Sequence, residues 1–248
     1  MSNIISKEFL KELVRNNWKI RFFVLLFLKP KRFVNDFYYT LIDYKRFRKS
    51  VSSYISFLKN TKKDNSNLKE CGLLLVAGNA MNVQWCQLWS VLAGAYGNNG
   101  YTTYVLTSKN EPLVNLYFRL FKIKFIYVED LNIKNISLPS EITEQVAKLA
   151  SFNDFKDYEL DGIPLGQMAL STYCRLRATG IFDASNSAAR EDAKYWIEYL
   201  YKTLIASKNV YDKYKIEMLF FTEVFMEEYG AFYYAALHND LNIIRFAA

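Results

Sequence analysis

The chain has 248 residues, 51% hydrophobic and 23% charged, with only 9 glycines and 4 prolines, which excludes collagen-like, low-complexity and loop-dominated chains. Its net charge of +7 is unevenly placed: residues 1–70 carry 16 Lys/Arg against 6 Asp/Glu, and residues 71–248 carry 16 against 19. The basic character therefore belongs to the N-terminal segment, which argues against a nucleic-acid partner bound on one broad positive face.

From Phe9 to Leu28 apolar residues recur at helical spacing (Phe9, Leu13, Trp18, Phe22, Leu25 and Leu26). The uninterrupted apolar run, Phe22 to Leu28, is 7 residues long and is closed by Arg21 and Lys29. A helix that crosses a bilayer needs about 20 apolar residues, so this one does not span. No small-residue cleavage site follows it, as a signal peptide would require. After Pro30 a second helix is predicted from about Lys31 to Lys59, with Phe33, Phe37, Leu41, Val51, Tyr54, Ile55 and Leu58 on its stripe. Lys29, Lys31 and Arg32, then Lys45, Arg46, Arg48 and Lys49, form two basic clusters, the second interleaved with Tyr44 and Phe47. Two readings stand. Residues 1–59 attach to an anionic membrane surface with the aromatic side down, or these helices pack on the following domain and expose a basic side. The polar stretch Thr61 to Glu70 reads as a linker. The expected organisation is thus a basic helical segment over 1–60, a linker over 61–70 and a domain over 71–248.

Cys71 to Ala77 is an almost wholly apolar run entering Gly78-Asn79, as suits a strand covered on both faces. Val83 to Tyr96 places Val83, Cys86, Trp89, Leu92, Ala93 and Tyr96 on one helical face, and Gly97 to Gly100 ends it. Tyr101 to Leu106 is a second strand, Pro112 to Phe121 a helix with Pro in its first turn, and Lys124 to Val128 a third strand. Farther on, Ala189, Ala193, Trp196, Ile197, Leu200 and Leu204 mark a long helix. Asp183, Glu191 and Asp192 lie near its start, where the dipole favours negative charge. Ile216 to Phe221, Glu228 to Leu237 and Leu241 to Phe246 read as strand, helix and strand. Five strands alternating with helices predict an α/β fold, a Rossmann-like parallel sheet flanked by helices, with ligands beyond the strands' carboxyl ends.

Chemistry is sparse. Cys71, Cys86 and Cys174 include no C-x-x-C pair and are too few for a disulfide framework, so a reducing, cytoplasmic compartment is expected. The single histidine, His238, excludes most His-based metal sites, and its place late in a helix suits a surface cation. The loop Gly78-Asn79-Ala80-Met81-Asn82 lacks G-x-G-x-x-G, and Thr107-Ser108-Lys109, not an acidic residue, follows the second strand. Both features argue against dinucleotide binding, and no cofactor is expected. Neither a P-loop nor G-x-S-x-G occurs. What remains is a Gly-Asn turn: either a turn chosen for its geometry, or one whose donors and amides (Gly78, Asn79, Asn82) hold a hydroxyl-rich or anionic ligand at a helix N-terminus.

The stretch Leu88 to Ser108 resembles the first helix, glycine turn and second strand of GT-B glycosyltransferases. Asp161 to Arg177 and Glu223 to Asn239, the latter carrying Tyr229-Gly230, are similar to segments of the members that build bacterial capsule and surface polysaccharides. The resemblance covers about residues 71–248. It implies an acceptor-binding domain at the cytoplasmic face of the membrane, taking a sugar or lipid-linked sugar. Gly78, Asn79 and Asn82 would lie at the first strand's end. Thr172, Arg175, Arg177 and Tyr229 would bind substrate, the arginines suiting phosphate or carboxylate. Glu223 would be the base that takes the acceptor hydroxyl's proton. On the residues alone, Arg175 and Arg177 also suit pairing with the acidic stretch Asp154 to Asp161, and Glu223 suits a cap or salt bridge.

The family also implies a second Rossmann-like domain that binds the nucleotide-sugar donor. No second βαβ series precedes Ala248, so the donor site is expected on a second polypeptide, or the protein is a truncated remnant. The alternatives are a non-catalytic membrane-associated partner and another Rossmann-like transferase, such as a methyltransferase.

Overall fold

The structure, a computed structural model, describes residues 41–61, 71–76, 83–221 and 227–245. The expected helix over Phe9 to Leu28, the first part of the next, most of the linker, and Gly78, Asn79, Asn82 and Glu223 lie outside them.

Five strands form one sheet: β1 (Gly72–Val76), β2 (Thr102–Thr107), β3 (Lys124–Tyr127), β4 (Ile216–Phe221) and β5 (Asn242–Arg245). Their order is β3-β2-β1-β4-β5, and every pairing is parallel. β1 is central and buried along its whole length, which is why its sequence is nearly unbroken Leu and Val. Leu73 and Leu75 face one layer of helices and Leu74 and Val76 the other.

The first layer holds α1 (Ser52–Thr61), α2 (Val83–Asn98) and α3 (Pro112–Phe118), with residues 41–50 also helical ahead of α1. Cys86, Trp89 and Ala93 of α2 and Val114, Tyr117 and Phe118 of α3 pack on Leu73, Leu75, Val105 and Phe220. Tyr44 and Phe47 join them, stacking edge-on against Tyr117 at 5.6 and 5.3 Å. Over the described part of the basic segment, the aromatic side is therefore turned onto the protein, and Lys45, Arg46, Arg48 and Lys49 are left exposed.

The second layer is α7 (Ser187–Tyr214) and α8 (Glu227–His238). Val210 and Tyr211 of α7 and Phe232, Ala235 and Ala236 of α8 cover Leu74, Val76, Leu106 and Phe221. The Tyr211 hydroxyl donates to the Phe232 carbonyl and joins the two helices.

β4 carries a bulge. Gly72 pairs with Ile216 but Leu73 with Met218, so Glu217 is the extra residue and is exposed. The insertion changes the alternation: Ile216, Leu219 and Phe221 all reach the α7/α8 layer. Gly72 is required there, because a Cβ would sit 2.5 Å from the Tyr214 carbonyl oxygen.

Between β3 and α7 lie three helices that the apolar periodicity did not reveal: α4 (Ser140–Lys148), α5 (Phe152–Lys156) and α6 (Leu165–Leu176). They form a separate core with the first half of α7, in which Ile142, Val146, Phe155, Leu165 and Met168 meet Ala189, Ala193, Ile197 and Leu200. Ser151 and Asp154 cap α5 reciprocally. A tight turn then precedes α6, with Asp161 and Gly162 both left-handed (φ 51° and 76°) and Leu160 and Ile163 exchanging hydrogen bonds of 3.0 and 2.9 Å. Gly166 allows the close approach of α5, since a Cβ there would fall 1.6 Å from the Phe155 carbonyl oxygen.

Candidate functional site

All strands run the same way, so their carboxyl ends lie on one edge. At the centre of that edge Val76 of β1 pairs with Phe221 of β4, and neighbouring strands are about 4.8 Å apart. The helices that follow these two strands cover opposite faces of the sheet, α2 on the Leu73/Leu75 side and α8 on the Leu74/Val76 side. In open α/β sheets the usual ligand position is the crevice at such a switch point. The stretches that follow these two strand ends in sequence, 77–82 and 222–226, contain Gly78, Asn79, Asn82 and Glu223. Two stretches separated by some 140 residues of sequence are thus attached to adjacent strands.

One wall is supplied by the helical layer. α7 has 28 residues, about 42 Å at 1.5 Å per residue, whereas β4 has 6 residues, about 20 Å. The last part of α7 packs on the sheet and leads into β4 at the amino edge. Its first half therefore projects past the carboxyl edge, taking α4, α5 and α6 with it. Ala231 of α8 belongs to that upper core as well, among Leu165, Met168 and Ala169.

Beside the crevice, the end of β2 is closed by charge. Glu129, just after β3, accepts hydrogen bonds from Ser108 Oγ and, at 3.0 Å to each carboxylate oxygen, from the Lys109 backbone N–H. Lys109 also pairs with Asp130, which raises its pKa through that hydrogen bond. An acidic residue does reach the end of β2, but it comes from β3 and its oxygens are already engaged. Sequence alone could not place it, because the contact spans 20 residues and depends on strand pairing. Thr107 is fully buried, and among the described residues its hydroxyl has no partner. Cys86, in the first turn of α2, is buried, and burial, with a smaller contribution from Glu111, pushes its thiol up to about 12. It is therefore no nucleophile at neutral pH.

Thr172, Arg175 and Arg177 all fall in the second half of α6 or at its end. Thr172 is fully buried, and Tyr229 is 2% exposed in the core between α8 and the sheet. Arg177 does not meet the stretch Asp154 to Asp161. Its Nε donates to Asp192 at 3.0 Å, and a second guanidinium nitrogen makes the ion pair, because the end of α6 lies against the first turns of α7. Arg175 is half-buried beside it. Asp183 turns to its own neighbours, accepting from the Ser185 N–H and hydroxyl at 2.9 and 2.7 Å, which lowers its pKa. His238 is the exposed last residue of α8.

Among the described residues no group of three or more His, Cys, Asp or Glu is placed to hold a metal ion. No helix among them is long and apolar enough to cross a membrane. The three cysteines are free thiols. The fold defines the class: a Rossmann-like α/β protein with an all-parallel, doubly covered sheet and a helical insertion beside it. No family model matches the chain, and no curated protein or solved structure is significantly similar to it.

Proposed function

We propose that this domain holds the acceptor in a glycosyl transfer of the GT-B type, in the assembly of a cell-surface polysaccharide at the inner face of the membrane. The observation that carries this reading is the pairing of Val76 with Phe221, the ends of neighbouring strands from which the Gly-Asn turn and the segment bearing Glu223 continue in sequence. In the proposed reaction Asn79 and Asn82 hydrogen-bond acceptor hydroxyls and Glu223 takes the proton of the attacking one. The hydroxyl oxygen then bonds to the donor's anomeric carbon as the bond to the nucleoside diphosphate breaks. Arg175 offers a cation to a phosphate or carboxylate on the acceptor. The donor is presented by a second domain, and the exposed cations at Lys45, Arg46, Arg48 and Lys49 favour an anionic lipid surface.

The test is binding of short saccharides and of polyprenyl-phosphate-linked saccharides, followed by the thermal midpoint, with nucleotide sugars and S-adenosylmethionine as controls. Acceptors are expected to raise the midpoint, because a ligand that binds only the folded state stabilises it. With a donor domain supplied, Glu223→Gln is expected to lower the transfer rate by about 10²–10⁴, the usual contribution of a general base, with acceptor binding unchanged. Protection by S-adenosylmethionine alone would overturn the reading.

A further inference from the structure

Between the helix of residues 41–50 and the first two turns of α2 lies a pocket of about 540 Å³, lined by Asp43, Val83, Gln84 and Gln87. Small-ligand sites usually enclose about 300–1,000 Å³. Both walls are anchored. Tyr44, beside Asp43, and Phe47, one turn on, pack edge-on against Tyr117 of α3. On α2, Cys86 and Trp89 are buried in the first layer, and Gln84 and Gln87, three residues apart, share the side that meets the pocket.

The polar groups around this pocket are poorly satisfied. Asp43 forms no ion pair among the described residues, and no hydrogen bond there engages its side chain or that of Gln84. Next to Gln87, Tyr117 is fully buried, and its hydroxyl has no partner in hydrogen-bonding geometry among the described residues. Burial raises the Tyr117 pKa, and the neighbouring Gln87 amide lowers it less strongly. The amide therefore stands beside the hydroxyl without completing the bond, and a buried hydroxyl left so is destabilising.

The chemistry of the lining narrows the occupant. Asp43 is the one charged group among the described lining residues, so it repels an anion. An ammonium answers the carboxylate but only donates, which leaves the N–H groups of Gln84 and Gln87 without an acceptor. No group placed to hold a metal ion occurs among the described residues. A hydroxyl both donates and accepts, and adjacent hydroxyls on one ring serve a carboxylate and two carboxamides together. We propose that this pocket holds an uncharged sugar ring, its hydroxyls donating to Asp43 and exchanging hydrogen bonds with Gln84 and Gln87. Contact with the sugar fixes the Gln87 amide, and the Tyr117 hydroxyl gains its missing partner. α2 begins directly after the stretch 77–82, so this ring is one sugar of the proposed acceptor. The inference rests on the acceptor reading for the role of that sugar, not for its binding.

Saturation-transfer NMR of the full chain with the methyl glycosides of glucose, galactose and mannose tests this. Saturable binding of at least one is expected. Asp43→Asn, which keeps the shape and removes the charge, is expected to weaken it about tenfold, and Gln87→Met about fivefold, the scales of a charged and a neutral hydrogen bond. Should either variant lower the thermal midpoint without ligand, Gln84→Met, at an exposed position, gives the same test. The uronate form of the bound glycoside is expected to bind more weakly, because its carboxylate meets Asp43. No saturable binding of any neutral glycoside, equal binding by the folded variants, or tighter binding of the uronate or of propylammonium would overturn the proposal. Binding here without transfer, once a donor domain is supplied, upholds the sugar site and overturns the transfer reading. Transfer that Asp43→Asn and Gln87→Met leave unaffected does the reverse.

Discussion

Cys86 shows how a side chain's surroundings decide its chemistry. Its thiol lies at a helix N-terminus, a position that usually lowers a thiol pKa. Burial among Trp89, Val105 and Val114 dominates instead and lifts it from 9.0 to about 12. The folded pKa lies above the unfolded one, so the neutral thiol contributes stability that is complete below pH 9 and lost as the pH rises toward 12. With a disulfide reagent at pH 8, half-buried Cys174 is expected to react first and Cys86 only as fast as the protein unfolds. Rapid native labelling of Cys86 would contradict this burial. Its place on the apolar face was legible in the spacing Val83, Cys86, Trp89. The pairing of Arg177 with Asp192 was not, because nothing in a local pattern tells an arginine which of several acidic residues its helix end will meet.

At the scale of elements, the strands were readable because each is a short apolar run between turn residues, and the observed bounds differ from the expected ones by a residue or two. α4 escaped because only Ile142 and Val146 of its nine residues are buried, too few to mark a stripe. α6 buries Leu165, Met168, Ala169 and Thr172 at helical spacing; the family resemblance implied a helix at Thr172 to Arg177, while the small and hydroxylated side chains hid it from apolar periodicity. The Asp161-Gly162 dipeptide before it is a recognised tight-turn signal. The bulge in β4 is visible in retrospect as Glu217 inside an apolar run. Between α7 and α8, the Tyr211 hydroxyl has a backbone acceptor in a buried setting beside Ser207, and burial raises its pKa well above 10. Tyr211→Phe keeps the ring and leaves the Phe232 carbonyl without that donor. It is expected to cost about 1 kcal/mol, measured by chemical denaturation.

For the whole molecule, α7 is shared between the core on the sheet and the core of the helical insertion. Neither core keeps its contacts if that helix melts, so the described body is expected to unfold in a single transition. The calorimetric and van't Hoff enthalpies should then agree. Two separated transitions would show that the insertion is an independent unit. The short apolar runs made the sheet legible, whereas of the insertion only a helix at Thr172 to Arg177 was expected, and its packing against the first half of α7 was not.

The strand order also sets a sequence of events in time. β1 gains β2 as a neighbour after about thirty residues, but its other neighbour, β4, begins only at Ile216. At ordinary synthesis rates of about 5–20 residues per second, this wholly buried apolar strand waits roughly 7 to 30 s with one edge unpaired. During that interval the emerging chain exposes a sticky, incomplete template. Its safe passage depends on what shields Leu73 to Val76 on the ribosome until the late strand arrives.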